Sequence, residues 1–167
     1  MAGPAEIMKT LVLIRHGKSA RPEGVCDFDR PLNPRGLRDA PVMAGRLAAL
    51  ELNVDVLLSS PARRALSTAD VFAGKLNLPV QTDERIYNAT CADLLQRVQS
   101  LDDRFSTVVL VGHNPGMTDL LNSLIEGPEQ EMPTCSFAVI ELPGWRNAVP
   151  GSGRLIHWSC PKGPSGF

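Results

Sequence analysis

Short apolar runs alternate with longer amphipathic segments along most of this chain. Each short run has the length of a buried strand, and each longer segment places its apolar residues at helical spacing. Regular alternation of strands and helices is typical of α/β folds. We therefore predict an α/β protein with six strands, at residues 10–14, 54–58, 80–82, 107–111, 137–142 and 155–158.

Four amphipathic helices are predicted between these strands. The first begins near Asn33, a good capping residue, and Pro34 suits its first helical position. Pro41 is expected to kink this helix or to delay its start. The apolar face of the first helix is predicted to contain Leu37, Ala40, Ala44, Leu47 and Ala48. The other three helices are predicted to begin at Ser60-Pro61, to cover about 92–101, and to run from Asn114-Pro115 to about 125.

Length and charge limit the class of protein. A chain of 167 residues suits one domain, here residues 1–167, with 1–7 as a loose N-terminal tail. The formal net charge of −1 argues against a broad surface for nucleic acid or for an anionic membrane. No segment approaches the length of a membrane span. A small anionic ligand would therefore need a local cluster of cations.

The four cysteines are widely scattered and show no C-x-x-C spacing. We expect them to be reduced thiols, because a chain of this length does not need disulfides for stability. The apolar run that ends at Ile14 is too short for a secretory signal. We therefore expect a cytoplasmic protein. No Walker loop, G-x-G-x-x-G motif or cluster of metal ligands is present, so we expect neither cofactor nor metal.

Three junctions at strand ends carry the candidate chemistry. The first predicted strand runs directly into Arg15, His16, Gly17 and Lys18. Two further junctions carry the run S-P-A-R-R at 60–64 and the run G-H-N at 112–114. In open α/β sheets, ligands bind in the crevice at the carboxyl ends of the strands. If the three strands are neighbours, these junctions form one pocket for an anion.

Helical phase distinguishes the two adjacent arginines of the second junction. Arg63 shares its stripe with Ser67, Asp70 and Gly74, which form a solvent-facing surface. Arg64 shares its stripe with Thr68 and Val71 and borders the apolar face. We therefore predict that Arg64 points into the pocket and that Arg63 is a surface charge.

These residue types suit phosphoryl transfer, in which catalysis is mostly positioning and electrostatic stabilisation. The guanidinium groups of Arg15 and Arg64 can bind phosphoryl oxygens in a bidentate manner. A neutral imidazole is a competent nucleophile near pH 7. We therefore predict that His16 attacks phosphorus and that water hydrolyses the resulting phosphohistidine. His113 is expected to hold a phosphoryl oxygen or to assist proton transfer.

The ordered motifs R-H-G at 15–17, S-P-x-x-R-A at 60–65 and G-H-N at 112–114 resemble those of the histidine phosphatase superfamily. The resemblance covers about 9–162 and implies a phosphoglycerate-mutase-like fold: a three-layer α/β/α sandwich with a mostly parallel central sheet. It also implies that His16 is the nucleophile and that Arg15, Arg64 and His113 form the phosphate pocket. Substrate contacts are expected from Arg15, Gly17, Lys18, Arg64, His113 and Asn114.

The short length, the run R-H-G-K-S, the segment D-x-D-R-P-L-N at 27–33 and the pair Pro161-Lys162 look like the SixA-type phosphohistidine phosphatases. That resemblance implies a phosphorylated protein, such as a histidine phosphotransfer domain, as the substrate. Many larger members of the superfamily carry a glutamate that donates a proton, and its position falls near Asn88 in this chain. Glu84 and Asp83 are alternative acids at the wrong offset. A missing acid disfavours alkoxide leaving groups and favours phosphohistidine, whose imidazole can leave already protonated.

Other interpretations remain open at this stage. The same pocket would suit a phosphatase for small phosphoesters, or a sensor that binds a phosphorylated ligand without turnover. The run from Cys91 to Arg97 matches the C-x5-R pattern of cysteine phosphatases, but its helix-forming residues do not make a phosphate cradle. We expect His157 to pack structurally, and Asp27, Asp29 and Arg30 to form ion pairs that order a loop.

Overall fold

A six-stranded sheet forms the centre of the protein in a computed structural model that describes residues 7–163. Residues 1–6 of the predicted N-terminal tail lie outside that range, and Ile7 is exposed. The strands are β1 (Lys9–Arg15), β2 (Val56–Ser59), β3 (Val80–Thr82), β4 (Thr107–Gly112), β5 (Phe137–Leu142) and β6 (Arg154–Ser159). They lie in the order β3-β2-β4-β1-β5-β6. All six predicted strands are confirmed, with boundaries that differ by at most two residues.

The first four strands in the chain are parallel neighbours, because β1 pairs with β4, β4 with β2, and β2 with β3. β5 runs antiparallel to both β1 and β6. In register, Arg15 of β1 lies beside Gly112 of β4, and Ser59 of β2 lies beside Val111. The three strand ends that carry the candidate chemistry therefore meet at one edge of the sheet, as the proposed pocket requires.

Four α-helices cover the sheet: α1 (Pro34–Ala48), α2 (Arg63–Leu76), α3 (Cys91–Gln99) and α4 (Gly116–Leu124). Alternate residues of β1 point to opposite faces of the sheet, so that Leu11 and Leu13 pack in a core with α3 and α4. Val12 and Ile14 pack in a second core with α1 and α2. Two cores on either side of one sheet make the predicted three-layer α/β/α sandwich.

The first helix differs from its prediction in two respects. It starts at Pro34, with the Asn33 side chain accepting a hydrogen bond from the Gly36 N–H at 2.8 Å, and it continues through Pro41. The delayed start is therefore wrong: the Asn33 cap and the packing of Ala40 and its neighbours stabilise a helix on both sides of the proline. Leu37, predicted to face inward, is 61% exposed, since the buried stripe runs through Gly36, Ala40, Met43, Ala44 and Leu47.

Two of the other helices begin later than their Pro dipeptides predict. α2 starts at Arg63 and α4 at Gly116, because Ser60 and Asn114 direct their side chains to tertiary partners.

No helix within 7–163 has the length and apolar character needed to cross a bilayer. All four cysteines have free thiols, as predicted.

Candidate active site

An open cleft of about 760 Å³ lies at the carboxyl edge of the parallel strands. The backbone N–H of His16 donates to the Gly112 carbonyl at 3.1 Å, and that of Ser60 donates to the Val111 carbonyl at 3.1 Å. Residues that directly follow β1 and β2 are thus attached to the end of β4, which carries His113. The adjacency that the sequence could only assume is present in the fold.

The imidazole of His16 has a defined orientation and a defined tautomer. Nδ1 lies 2.7 Å from the Gly17 carbonyl oxygen, which can only accept, so Nδ1 carries the proton. Nε2 consequently has a lone pair. Burial is the main cause that lowers the pKa of His16 to about 3; the neighbouring His113, Arg64 and Arg15 also lower it, against the favourable bond to Gly17. The ring is therefore neutral and unprotonated at Nε2 near pH 7.

Arg64 lies directly beside His16, and its Nε donates to His16 Nε2 at 3.3 Å. It is 6% exposed, whereas Arg63 is exposed on the outer face of α2, as their helical phases predict. The two terminal nitrogens of Arg64 contact the loop that precedes α1. Nη1 donates to the Asp27 carbonyl at 2.7 Å, and Nη2 to Asp27 Oδ2 at 3.1 Å.

Gly17 is not among the residues that line the cleft, and its contact with substrate stays a prediction. Its N–H donates to Thr68 Oγ1 at 3.0 Å, and the Thr68 hydroxyl donates to the Arg64 carbonyl at 2.8 Å. Because both backbone groups of Gly17 are already hydrogen-bonded, the residue orients His16 and links β1 to α2. Leu32 and Gly36 also pack closely against Gly17.

His113 faces His16 across the cleft, with ring centroids 5.0 Å apart. Its Nε2 lies 2.7 Å from Ser60 Oγ, which also accepts a hydrogen bond from the Ala62 N–H. The Ser60 hydroxyl can donate to an unprotonated His113 Nε2, and in that tautomer Nδ1 carries the proton of the neutral ring. Burial lowers the pKa of His113 to about 4, with Arg64 as a further cause. A second neutral imidazole thus lies next to the first.

Two buried nitrogen atoms in the cleft are available to an anion. Arg15 Nε and His113 Nδ1 are buried and lack a hydrogen-bond partner within the described residues. Arg15 is held through Nη1, which donates to the Met132 carbonyl at 2.9 Å. Buried polar groups are almost always paired in folded proteins, so such atoms need an explanation. A phosphoryl group bound beside His16 would offer oxygen acceptors to both.

The rim of the cleft carries the remaining predicted contacts. Lys18 and Arg21 are exposed and line the cleft, and the half-buried Arg30 also lines it. Asn114 also lines it, but its amide donates to the Met132 carbonyl and accepts from Thr118. Asn114 therefore contributes by holding the Met132 segment in place, next to Arg15.

None of the described residues that line the cleft is a glutamate. Asn88, the position near which larger family members have their acid, lines the cleft. Asp83 is buried away from the cleft and paired with Arg85 and Arg97; burial raises its pKa, but these two partners lower it more, to about 2. Glu84 is exposed and is also absent from the lining. Neither alternative acid reaches the site.

Sequence reasoning missed three contributors: Ser60, Thr68 and Tyr87. The tyrosine ring packs edge-on against His113, with centroids 5.6 Å apart, and its hydroxyl donates to Asp27 at 2.7 Å. Thr68 follows Arg64 by one helical turn, and that spacing is the only sequence signal for it. Nothing in the local pattern indicates the role of Tyr87, because its partners come from other parts of the chain.

Three further expectations from the sequence can be compared with the structure. Cys91 begins α3, and the C-x5-R run is helical, so it forms no phosphate-binding loop. His157 stacks on Phe137 with ring centroids 5.7 Å apart, which agrees with its predicted packing role. Asp27 and Arg30 form the predicted ion pair at 3.0 Å. Within residues 7–163, no group of three or more His, Cys, Asp or Glu side chains is arranged to hold a metal ion.

The fold and the site together define a class of phosphoryl-transfer protein. The chain belongs to the histidine phosphatase superfamily (branch 1), whose family model matches residues 11–97. It is accordingly a phosphatase of the SixA type within that superfamily, with the phosphoglycerate-mutase-like fold.

Its similarity to particular proteins extends over nearly the whole chain. The uncharacterized protein Rv1276c from Mycobacterium tuberculosis is 34% identical over 160 residues, which cover 89% of this chain and 100% of the relative. A proposed phosphohistidine phosphatase SixA from Nakamurella multipartitia has a similar structure, with a TM-score of 0.83, 26% identity, and coverage of 93% and 98% of the two chains. A proposed SixA from Agrobacterium tumefaciens has a TM-score of 0.79, 28% identity, and coverage of 92% and 98%.

Proposed function

We propose that this protein removes the phosphoryl group from phosphohistidine on a protein, with His16 as the nucleophile. The main support for the proposal is the tautomer of His16. Gly17 holds Nδ1–H, so the Nε2 lone pair faces a cleft that contains Arg15, Arg64 and His113. The proposed substrate is a histidine phosphotransfer domain or a similar phosphorylated protein.

The reaction has two in-line steps. In the first, His16 Nε2 attacks phosphorus; the Nε2–P bond forms, and the P–N bond to the substrate imidazole breaks. The substrate imidazole leaves with the proton that it carries or takes one from water. In the second, water attacks the phosphohistidine, the Nε2–P bond breaks, and inorganic phosphate leaves with the remaining proton released to solvent.

The surrounding residues stabilise the charge that is transferred. Arg64 Nε donates to His16 Nε2 in the free protein and to a phosphoryl oxygen once that lone pair has bonded to phosphorus. Arg15 Nε and His113 Nδ1 donate to the other oxygens. Donors that are fixed before the reaction need little reorganisation, and each is worth about 10²–10³-fold in rate at comparable sites.

The nature of the leaving group supports phosphohistidine over phosphoesters. An alkoxide must be protonated as it leaves, whereas an imidazole can leave already protonated. Asn88 occupies the position of the acid, and neither Asp83 nor Glu84 lines the cleft. The carboxylates that do line it are Asp27, which is paired with Arg64 and Arg30, and Asp119. Two of the structurally similar proteins carry the SixA name, which supports the same substrate class.

A substrate comparison tests the proposal. The wild-type protein, His16→Ala and Cys91→Ser are each offered a phosphorylated histidine phosphotransfer domain and a panel of small phosphoesters, including sugar phosphates. We expect the wild type and Cys91→Ser to act on the phosphoprotein at least 10²-fold faster than on the esters, and His16→Ala to lose turnover. Equal or faster turnover of the esters identifies a small-molecule phosphatase. Phosphate or vanadate binding without turnover on any substrate identifies a sensor.

Trapping the intermediate tests the nucleophile separately. Rapid mixing of substrate with wild-type protein should give a burst of product and an acid-labile, alkali-stable phosphoenzyme. His16→Ala should give neither. Full activity of His16→Ala, or phosphorylation that survives acid, contradicts the mechanism.

A further inference from the structure

Asp27 is the residue through which the loop before α1 reaches the catalytic cleft. It lies in a short 3-10 helix, Asp27–Asp29, within the segment D-x-D-R-P-L-N. Its carboxylate accepts hydrogen bonds from three side chains. Oδ2 accepts from Arg64 Nη2 at 3.1 Å and from the Tyr87 hydroxyl at 2.7 Å, and Oδ1 accepts from Arg30 at 3.0 Å.

The contacts of Asp27 determine how the Arg64 guanidinium is oriented. Asp27 binds one edge of this planar group, since its carbonyl accepts from Nη1 and its carboxylate from Nη2. The Nε–H then points toward His16 Nε2 at 3.3 Å. The five N–H donors of arginine lie in a fixed plane, so holding one edge fixes the direction of the other.

Tyr87 supports Asp27 through a hydrogen bond. Its hydroxyl donates to the carboxylate, and this bond, followed by those from Arg30 and Arg64, lowers the pKa of Asp27 well below its ordinary value against the effect of burial. The tyrosine ring contacts Phe28 edge-on at 5.3 Å and His113 at 5.6 Å. One side chain thus joins the loop that holds Arg64 to the histidine that faces His16.

We propose that Asp27, held by Tyr87, is a positioning residue that keeps the Nε edge of Arg64 directed at the phosphoryl group on His16. The proposal rests on the proposed function only in taking His16 as the site of phosphoryl transfer. A purely neutralising effect on Arg64 is the weaker interpretation, because the Asp27 side chain is 49% exposed and also paired with Arg30.

Three variants provide the first test. Asp27→Asn keeps the size of the side chain but loses the carboxylate, and Tyr87→Phe keeps the ring contacts but loses the hydroxyl. Asp29→Asn is the matched control, because Asp29 lies in the same 3-10 helix and its carboxylate contacts only Cys26 among the hydrogen bonds of the described residues. We expect kcat/KM to fall about 10–100-fold in Asp27→Asn and about 3–10-fold in Tyr87→Phe, with Asp29→Asn unchanged.

A double-mutant cycle separates positioning from a general structural effect. Asp27→Asn is combined with Arg64→Ala, and single-turnover rates are measured with excess protein. If Asp27 acts through Arg64, Asp27→Asn causes no further loss once Arg64 is absent. An equal loss in both backgrounds, or an Asp27→Asn variant as active as Asp29→Asn, overturns the proposal. Wild-type activity in Tyr87→Phe would show that Tyr87 plays no part in the positioning of Arg64.

The same variants can be tested without the proposed protein substrate. Inorganic phosphate, as a competitive inhibitor of whichever substrate is turned over, should bind about 10-fold more weakly to Asp27→Asn than to Asp29→Asn. Turnover of small phosphoesters alone would refute the protein substrate and leave the test of Asp27 intact. Equal inhibition of both variants by phosphate overturns the positioning role.

Discussion

His16 and His113 lie with ring centroids 5.0 Å apart and planes inclined by 56°, and both imidazoles are neutral near pH 7. Burial is the main cause, and the cations Arg64 and Arg15 add to it. A protonated imidazole here would be unfavourable unless an anion compensated for its charge. The site therefore keeps His16, the proposed nucleophile, unprotonated while its arginines leave the cleft positive enough to bind phosphate.

The first prediction concerns the pH dependence of stability. His16 has a pKa of about 3 in the folded protein and about 6.5 when unfolded, so the unfolded chain binds more protons between these values. Stability should fall as the pH drops from about 7 toward 3. His16 alone should contribute about 2 kcal/mol to the difference between pH 8 and pH 5. The free energy of unfolding of the wild type and of His16→Asn, measured by chemical denaturation at both pH values, tests this prediction. An identical pH dependence of the two proteins contradicts it.

The second prediction concerns the two adjacent arginines of α2. Arg64→Lys removes the planar fork beside His16, so we expect kcat/KM to fall about 10²-fold. Arg63→Lys is the matched control, because Arg63 lies in solvent one position away. We expect it to retain wild-type activity. Steady-state kinetics on the same substrate compares the two, and equal losses would show that the charge of this helix end matters rather than the geometry of Arg64.

The third prediction concerns Ser60, which holds His113 through Nε2. Ser60→Ala should lower kcat/KM about 3–10-fold, because His113 loses the bond that fixes its ring. Ser59→Ala is the control: that hydroxyl is equally buried and donates only to the Ser60 carbonyl. Kinetics should be accompanied by a melting curve, since loss of activity in proportion to loss of folded protein would indicate a structural effect alone.

The fourth prediction concerns the contact between α1 and the segment after His16. A Cβ on Gly36 would overlap the Lys18 carbonyl oxygen, so Gly36→Ala must displace backbone and should destabilise the protein by about 1–3 kcal/mol. Gly45→Ala lies in the same helix with nothing within 4 Å of the new Cβ, and should stabilise by about 0.5–1 kcal/mol. Urea unfolding of both variants measures whether the two changes in the free energy of unfolding have opposite signs. A stable Gly36→Ala variant would refute the close approach.

The local pattern of apolar residues predicted the strands and helices well, because hydrophobic periodicity acts over a few residues. The apolar run 11–14 identifies β1, and Asn33-Pro34 identifies the start of α1. The same local information distinguished Arg64 from Arg63, since helical phase depends only on spacing. Leu37 was assigned to the wrong face because Gly36 packs against Lys18, a contact that helical periodicity does not contain.

The sequence by itself determined the kinds of groups in the site and the strand ends that carry them: an arginine and a histidine after β1, an arginine in the first turn of α2, and a histidine after β4. Only the tertiary structure decided that β4 lies between β1 and β2, which brings these ends together. It also decided that Gly17 orients His16 and that Asp27 and Tyr87 hold Arg64. The physical reason is that periodicity and capping act over a few neighbouring residues, whereas these hydrogen bonds depend on the path of the whole chain.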